Sequence, residues 1–349
     1  MNWRLPPKWV RRVVLAPLMV ALAFVVMPVG LIFAGIVGAA ITWLLPGRLR
    51  IVRAIWMVIF YILWDATALV AAFSLWIASG FGFFLRRPWW QGVHYRFAGT
   101  MLRVLFWQIR WTLRLQIDVV DAELGSVLVG QPIIVASRHA GPGDSFILVH
   151  ALLNWFDRAP RIVLKDTLQW DPAIDVLLNR LPSQFITPRS ARRSDAPRLS
   201  DAVGDLAAGL GPDGALVIFP EGGNVTPGRR ARRIDTLREQ GQHHLAEQAE
   251  QMVNVMAPHS GGLLSALGAA SDAGVVFVAH TGLDRLVTVR DIWRELPMDK
   301  RIVMKGWSVP PQDVPRDPGD QEEWLFAHWR RIDDWIAAFD VAAAPDPSP

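Results

Sequence analysis

The chain has 349 residues, with 36 Lys and Arg against 32 Asp and Glu, no cysteine, and 52% hydrophobic against 19% charged residues. That balance, with a mean hydropathy of +0.24, argues against a wholly soluble protein and predicts that part of the chain lies in lipid. The lack of cysteine excludes disulfides, thiolate metal sites, a cysteine nucleophile and an enzyme-bound thioester.

Charge divides the chain. The first 117 residues hold 13 Lys and Arg and a single acid, Asp65, a net +12 within an overall +4. The remainder is therefore acidic, and the high isoelectric point does not describe a nucleic-acid-binding protein. Ten of the 17 Trp residues also fall before residue 118, a composition suited to an anionic membrane surface. Val13 to Gly47 is 35 residues without a charge, and Ala54 to Leu85 is 32 interrupted only by Asp65. Each exceeds the roughly 20 residues that cross a bilayer, so residues 1–92 are predicted to be a membrane anchor, spanning or re-entrant. The first run is too long for a secretory signal. Arginines flank every end of both runs, and either topology places the rest of the chain on the cytoplasmic face. Asp65 in mid-span is predicted to be structural, hydrogen-bonded near Thr67 or exposed at a kink.

Residues 93–117 place Arg96, Arg103 and Arg110 seven apart with Leu, Val, Phe and Trp between. This spacing predicts an amphipathic helix in the interface, arginines toward headgroups and aromatics toward acyl chains. Residues 118–340 then alternate short β-rich runs with helical stretches. PIIVAS, RIVLK, QFIT, ALVIFP, VVFVAH and RIVMKGW read as strands, and the stretches near 145–156, 194–210, 229–251, 259–271 and 320–339 as helices. The pattern predicts an α/β fold with a central sheet. Residues 341–349 read as a disordered tail.

Two strand ends carry chemistry. In VASRHAGPGDS an apolar strand delivers His139 into a Gly/Pro-containing turn, with Asp144 five residues later. A loop folded back on itself lets the carboxylate orient the imidazole, leaving the other ring nitrogen to take a proton from a hydroxyl. The alternative is a turn-capping His and an Asp capping the next helix. In ALVIFPEGGN, Glu221 is followed by Gly222 and Gly223, which let backbone N–H groups approach a ligand. Parallel strands of an α/β sheet present their carboxyl ends to one crevice, so both motifs can face the same site. Lys165, ending RIVLK, either neutralises a phosphate or pairs with Asp166. His243, His244 and Glu247 lie in a Gln/Glu-rich helical stretch without a suitable third metal ligand, so no metal is expected.

Together these segments resemble the glycerolipid acyltransferases, the 1-acylglycerol-3-phosphate and lysophospholipid O-acyltransferases. HAGPGD is similar to that family's His-x4-Asp motif and FPEG to its Phe-Pro-Glu-Gly motif, in the same order after an N-terminal membrane segment. VMAPHSGG and VVFVAHTG are similar to later segments of some eukaryotic-type members, so the resemblance covers about residues 130–285. It departs in two places. The family's phosphate-binding Gly-x-x-Phe-x-x-Arg appears as LPSQFITPR, with Pro188 at the arginine place and Arg189 one residue late. After FPEG, Gly223 and Asn224 stand where Thr or Ser and then Arg are usual.

The resemblance implies a membrane-bound O-acyltransferase that moves a fatty acyl group from acyl-CoA or acyl carrier protein to a lysophospholipid such as 1-acylglycerol-3-phosphate. It implies His139 as general base oriented by Asp144, and an acceptor side formed by Glu221, Gly222, Gly223, Arg189 and Lys165. The thioester is a co-substrate, no cofactor is implied, and the other partners are membrane lipids. Arg192, Arg193 and the cluster Arg229, Arg230, Arg232 and Arg233 are further phosphate or lipid candidates. Competing readings are a weakened lipid-binding or scaffold relative, an acyltransferase for a non-phosphate lipid or glycolipid, and a hydrolase using Ser145 or Ser137. Neither serine has a nucleophile-elbow context.

Overall fold

The computed structural model describes residues 5–44, 50–120, 128–139, 141, 143–186, 199–282 and 300–343. A short helical lead, Lys8 to Leu15, runs into α1 (Ala16–Leu44), and α2 (Arg50–Ala78) packs against it with Gly30 facing Ile59. Spans of 27 and 26 residues, Lys8–Ala34 and Arg53–Ala78, are apolar and long enough to cross a membrane by length and composition. Much of their surface is large and apolar, with Val13, Leu18, Phe24, Val25, Leu31, Val70 and Phe73 exposed. The helix of the second run stops at Ala78. Ser79 to Arg87 is a succession of turns, with Phe81, Gly80 and Gly82 at positive φ.

The α/β part is built on a seven-stranded sheet ordered β1-β7-β6-β2-β5-β3-β4. Its strands are β1 (Gln116–Val120), β2 (Ile133–Ser137), β3 (Ala159–Lys165), β4 (Ser183–Ile186), β5 (Gly214–Ile218), β6 (Gly274–Thr281) and β7 (Arg301–Val309). β6, β2, β5, β3 and β4 run parallel, while β7 is antiparallel to β6 and carries β1 parallel to itself. The central strands β2, β5 and β6 are buried along their whole length. This is why they read as continuous Val/Ile/Ala runs rather than as alternation.

Period-2 geometry still sorts their side chains. Ile134, Ala136, Leu216, Ile218, Val275 and Phe277 face α6 (Leu199–Ala207), α7 (Pro227–Glu239), α8 (His243–Gln251), α9 (Ser260–Ala269) and α10 (Pro318–Ala343). Ile133, Val135, Ala215, Val217, Val276 and Val278 face α3 (Pro88–Leu113) and α4 (Asp144–Asn154).

Four boundaries differ from the sequence reading. The 229–251 stretch is two helices because Gly241 turns the chain at φ +76°. α10 continues to Ala343, into the expected tail, and residues 344–349 lie outside the described set. β1 forms at residues 116–120 by pairing with β7, a partner nearly 200 residues away. The largest correction concerns residues 93–117. α3 is not a peripheral helix with arginines on one side and aromatics on the other: Leu102, Leu105 and Phe106 sit in the same core as the sheet and α4. Arg96, Arg103 and Arg110 share the outer face with Val104, Trp107 and Trp111. The α/β unit therefore begins near residue 88, not at 118.

Polar contacts fasten the apolar helices to this unit. Arg11 pairs with Asp175 of α5 (Pro172–Leu178) at 2.6 Å with both side chains buried, and Arg12 approaches the same carboxylate at 3.4 Å. Asp65 is fully buried and accepts the Ala173 N–H at 3.1 Å. It has a structural partner in α5, whereas Thr67 bonds the Leu63 carbonyl of its own helix. Arg180 donates to the Ala72 carbonyl at 2.7 Å, and the Trp64 indole to the Met101 carbonyl at 2.9 Å.

Candidate active site

β2, β5 and β6 end side by side at one edge of the sheet, and the candidate site is built there. β2 carries the chain through Arg138 to His139, and the following loop reverses so that α4 begins at Asp144. The carboxylate of Asp144 lies 3.3 Å from Nδ1 of His139 and accepts the Gly141 N–H at 2.7 Å, both on Oδ2. The His-x4-Asp spacing thus closes a compact loop, and Gly141 makes the turn while lending its N–H. Because Nδ1 faces a carboxylate, the neutral ring carries its proton there and presents Nε2 as a base. His139 keeps 16% of its side chain exposed and Asp144 only 1%. Burial alone would raise the Asp144 carboxyl, but the hydrogen bond from His139, the nearby His280 and the Gly141 N–H hold it below the usual carboxylate range.

The Phe219 ring, just beyond β5, packs against His139 with centroids 4.9 Å apart, limiting the imidazole's rotation. The chain then turns through Pro220 and Glu221, with the Gly222 N–H bonded to the Phe219 carbonyl at 2.9 Å. Gly222 takes φ +67°, a conformation that a side chain disfavours. The Arg229 guanidinium closes over Gly223, bonding the carbonyls of Gly222 and Asn224 at 3.1 Å each.

Glu221 is placed differently from the sequence reading. It is fully buried behind the site, not on its rim, and accepts the Trp329 indole N–H at 3.3 Å. The His139 backbone N–H and the charge of Arg138 also act on it, but burial dominates and pushes its carboxyl up to about 8. It ties β2 to β5 beneath the catalytic loop.

Lys165 stands exposed at the carboxyl end of β3, on the same rim. Arg189, Arg192 and Arg193 lie outside the described residues. The 229–233 cluster is largely committed to the fold. Arg230 bonds the Met252, Ala249 and Glu250 carbonyls at the end of α8, and Arg233, buried, bonds those of Ala257 and Pro258. Arg232 bonds the Gly228 carbonyl and remains exposed. His244 pairs with Glu323 of α10.

Several contributors were not singled out from sequence. Arg138 is 2% exposed and donates to the carbonyls of His280 (2.6 Å) and Asn254 (3.1 Å). Asp333 of α10 accepts the backbone N–H groups of Asn254 and Val255 at 2.5 and 3.0 Å. His280 reaches Asp144 from β6. The available signal was a charged or titratable residue at the end of a buried strand, visible at Arg138 and His280. Between α4 and the sheet lies a small cavity of about 40 Å³ lined by Val135, Leu148, Leu152, Phe156 and Val276, among others. It shares Leu148 and Met304 with the narrower space beside Asp144 and His280.

Residues 117–275, the segment holding both motifs, match the family model described as Acyltransferase. That segment, 159 of the 349 residues, is similar to the acyltransferase family. The matched segment includes His139, Asp144 and Glu221 but ends before His280 and α10. No curated protein sequence matches the chain. Among solved structures, the 1-acyl-sn-glycerophosphate (LPA) acyltransferase PlsC from Thermotoga maritima is similar at 13% identity, covering 82% of this chain and 98% of that one with a TM-score of 0.48. That likeness carries no residue correspondence.

If Asp144 orients and electrostatically supports His139, Asp144→Asn leaves the ring in place but removes the charge. Its kcat is expected to fall about 10²-fold with both KM values nearly unchanged, as for a group felt mainly in the transition state. Steady-state kinetics on the folded variant check this, and an unchanged kcat rejects the role.

Proposed function

We propose that this protein is a membrane-anchored acyltransferase and moves a fatty acyl group from a thioester donor, acyl-CoA or acyl carrier protein, to the hydroxyl of a lysophospholipid-like acceptor. The observation that carries this reading is the partly exposed His139 with Nδ1 on buried Asp144, at the rim of the sheet and within the family-matched segment.

Nε2 of His139 takes the acceptor's hydroxyl proton as the oxygen forms its bond to the thioester carbonyl carbon. Backbone donors stabilise the oxyanion, the carbon–sulfur bond breaks, and the imidazolium returns its proton to the departing thiolate. Transfer is direct, without an acyl-enzyme. The hydrolase alternative gains nothing from Ser137, which is buried with its hydroxyl on the Arg138 carbonyl. In this reading Lys165 lies on the donor and acceptor rim, and the acceptor diffuses in the membrane while the hydrophilic donor arrives from the cytoplasmic face.

Incubating membranes containing the protein with labelled acyl-CoA and a panel of lysolipids tests the reading. Labelled two-chain phospholipid supports it. Release of free fatty acid means a hydrolase, and neither product means a scaffold. A second acceptor class has an observation in its favour. The arginines after FPEG are spent mostly on backbone carbonyls, so an acceptor without a terminal phosphate, a lipid or glycolipid hydroxyl, belongs in the same panel.

The anchoring part has its own test. If the apolar helices are in the bilayer, the protein stays in the pellet through high-salt and carbonate washes that screen purely electrostatic attachment. Recovery in the supernatant rejects it.

A further inference from the structure

His280 is the second-last residue of β6, before the chain leaves the sheet at Gly282, and its side chain is 4% exposed. Its Nε2 lies between two acceptors, the Arg138 carbonyl at 3.3 Å and Asp144 Oδ2 at 3.6 Å. With an acceptor on each side, Nε2 carries a proton in either charge state of the ring. The tie is reciprocal: Arg138 donates its guanidinium to the His280 carbonyl at 2.6 Å and its backbone N–H to the Val278 carbonyl at 3.2 Å.

Arg138 and Asp144 are the two ends of the loop that bears His139. That loop contains Gly141 and Gly143, so its conformation is not fixed by its own backbone preferences. The Asp144 oxygen that His280 approaches is the same Oδ2 that faces His139 and accepts from Gly141. A shift of this oxygen changes the direction in which His139 is held.

We propose that His280 is a positioning residue for the transfer reaction. Its Nε2–H spans the Arg138 carbonyl and the Asp144 carboxylate, clamping both ends of the catalytic loop so that Nε2 of His139 is presented to the acceptor hydroxyl. The inference rests on the reading of His139 as the base. It assigns a function to a side chain outside the family-matched segment 117–275. Supporting groups that orient a reacting side chain commonly matter by one to two orders of magnitude, because a misplacement of an ångström is enough to lose alignment.

The test compares His280→Ala and His280→Gln in the full-length, membrane-bound protein with labelled acyl-CoA. The Gln side chain offers an amide N–H near the position of the imidazole Nε2. Expected is a fall in kcat of about 10- to 100-fold for alanine, donor and acceptor KM within about threefold of wild type, and recovery of most of the rate in the Gln variant. An unchanged kcat in folded His280→Ala overturns the proposal, as does a change confined to KM, or an equal loss in both variants. Should the alanine protein fail to fold, His280→Gln against His280→Met, a variant of similar size without the donor, makes the same comparison. Full activity of His139→Ala would mean that the base assignment has failed. Inactive His139→Ala beside fully active His280 variants would mean that the clamp alone has failed.

Discussion

A folded His139→Ala protein is expected to lose acyl transfer by about 10²- to 10⁴-fold, the range that a positioned general base supplies. The alanine removes the ring that accepts the hydroxyl proton, and the other imidazole beside the Asp144 carboxylate, that of His280, is buried with its Nε2 between two acceptors. Asp144 itself cannot stand in, because its side chain is 1% exposed and its Oδ2 is occupied by the Gly141 N–H. The substitution should cost little stability, since the ring is partly exposed and its main packing partner, Phe219, can relax into the vacated space. Turnover of labelled acyl-CoA, alongside a thermal melt, separates loss of chemistry from loss of fold. Wild-type turnover in a protein with an unchanged melt would end the mechanism, whereas a parallel fall in both would point to a structural role.

How much of this was legible in the sequence follows from range. The His139 and Asp144 pair was legible because five residues of chain bring the two together, and a loop that short between a strand and a helix has few ways to close. The buried strands were legible as runs such as IIVAS and GVVFVAHT, since both faces of the sheet are covered. What failed was whatever depended on distant partners. QIDVV becomes β1 only because β7 lies beside it. Glu221 looks like a rim carboxylate until Trp329, 108 residues later, is seen to cover it. Arg230 and Arg233 look like a phosphate cradle until the carbonyls at 249–258 are placed against them. An exposed-looking charge following a strand therefore has two outcomes, and only the fold decides between ligand and backbone.

The same lesson applies to α3, and it sets the second large effect. A chain beginning at Gln116 retains every strand but loses α3, so the sheet residues Ile133, Val135 and Val276 lose the cover of Leu102, Leu105 and Phe106, while Ile147 and Leu148 of α4 lose a neighbour. Burying three such side chains contributes roughly 5–9 kcal/mol at about 1.5–3 kcal/mol each. Typical domain stability is only about 5–15 kcal/mol. The truncated protein is therefore expected to show no cooperative melt and to aggregate through the uncovered face. A chain beginning at Pro88 keeps α3 and loses chiefly the two apolar helices with their Asp65–Ala173, Trp64–Met101 and Arg11–Asp175 contacts. In mild detergent it is expected to fold and melt cooperatively at a reduced temperature, because the sheet keeps both of its covered faces. Differential scanning fluorimetry on the two truncations decides the matter. Cooperative unfolding of the Gln116 chain at the Pro88 chain's temperature would show that α3 is an attachment, whereas failure of that chain alone places α3 inside the folding unit.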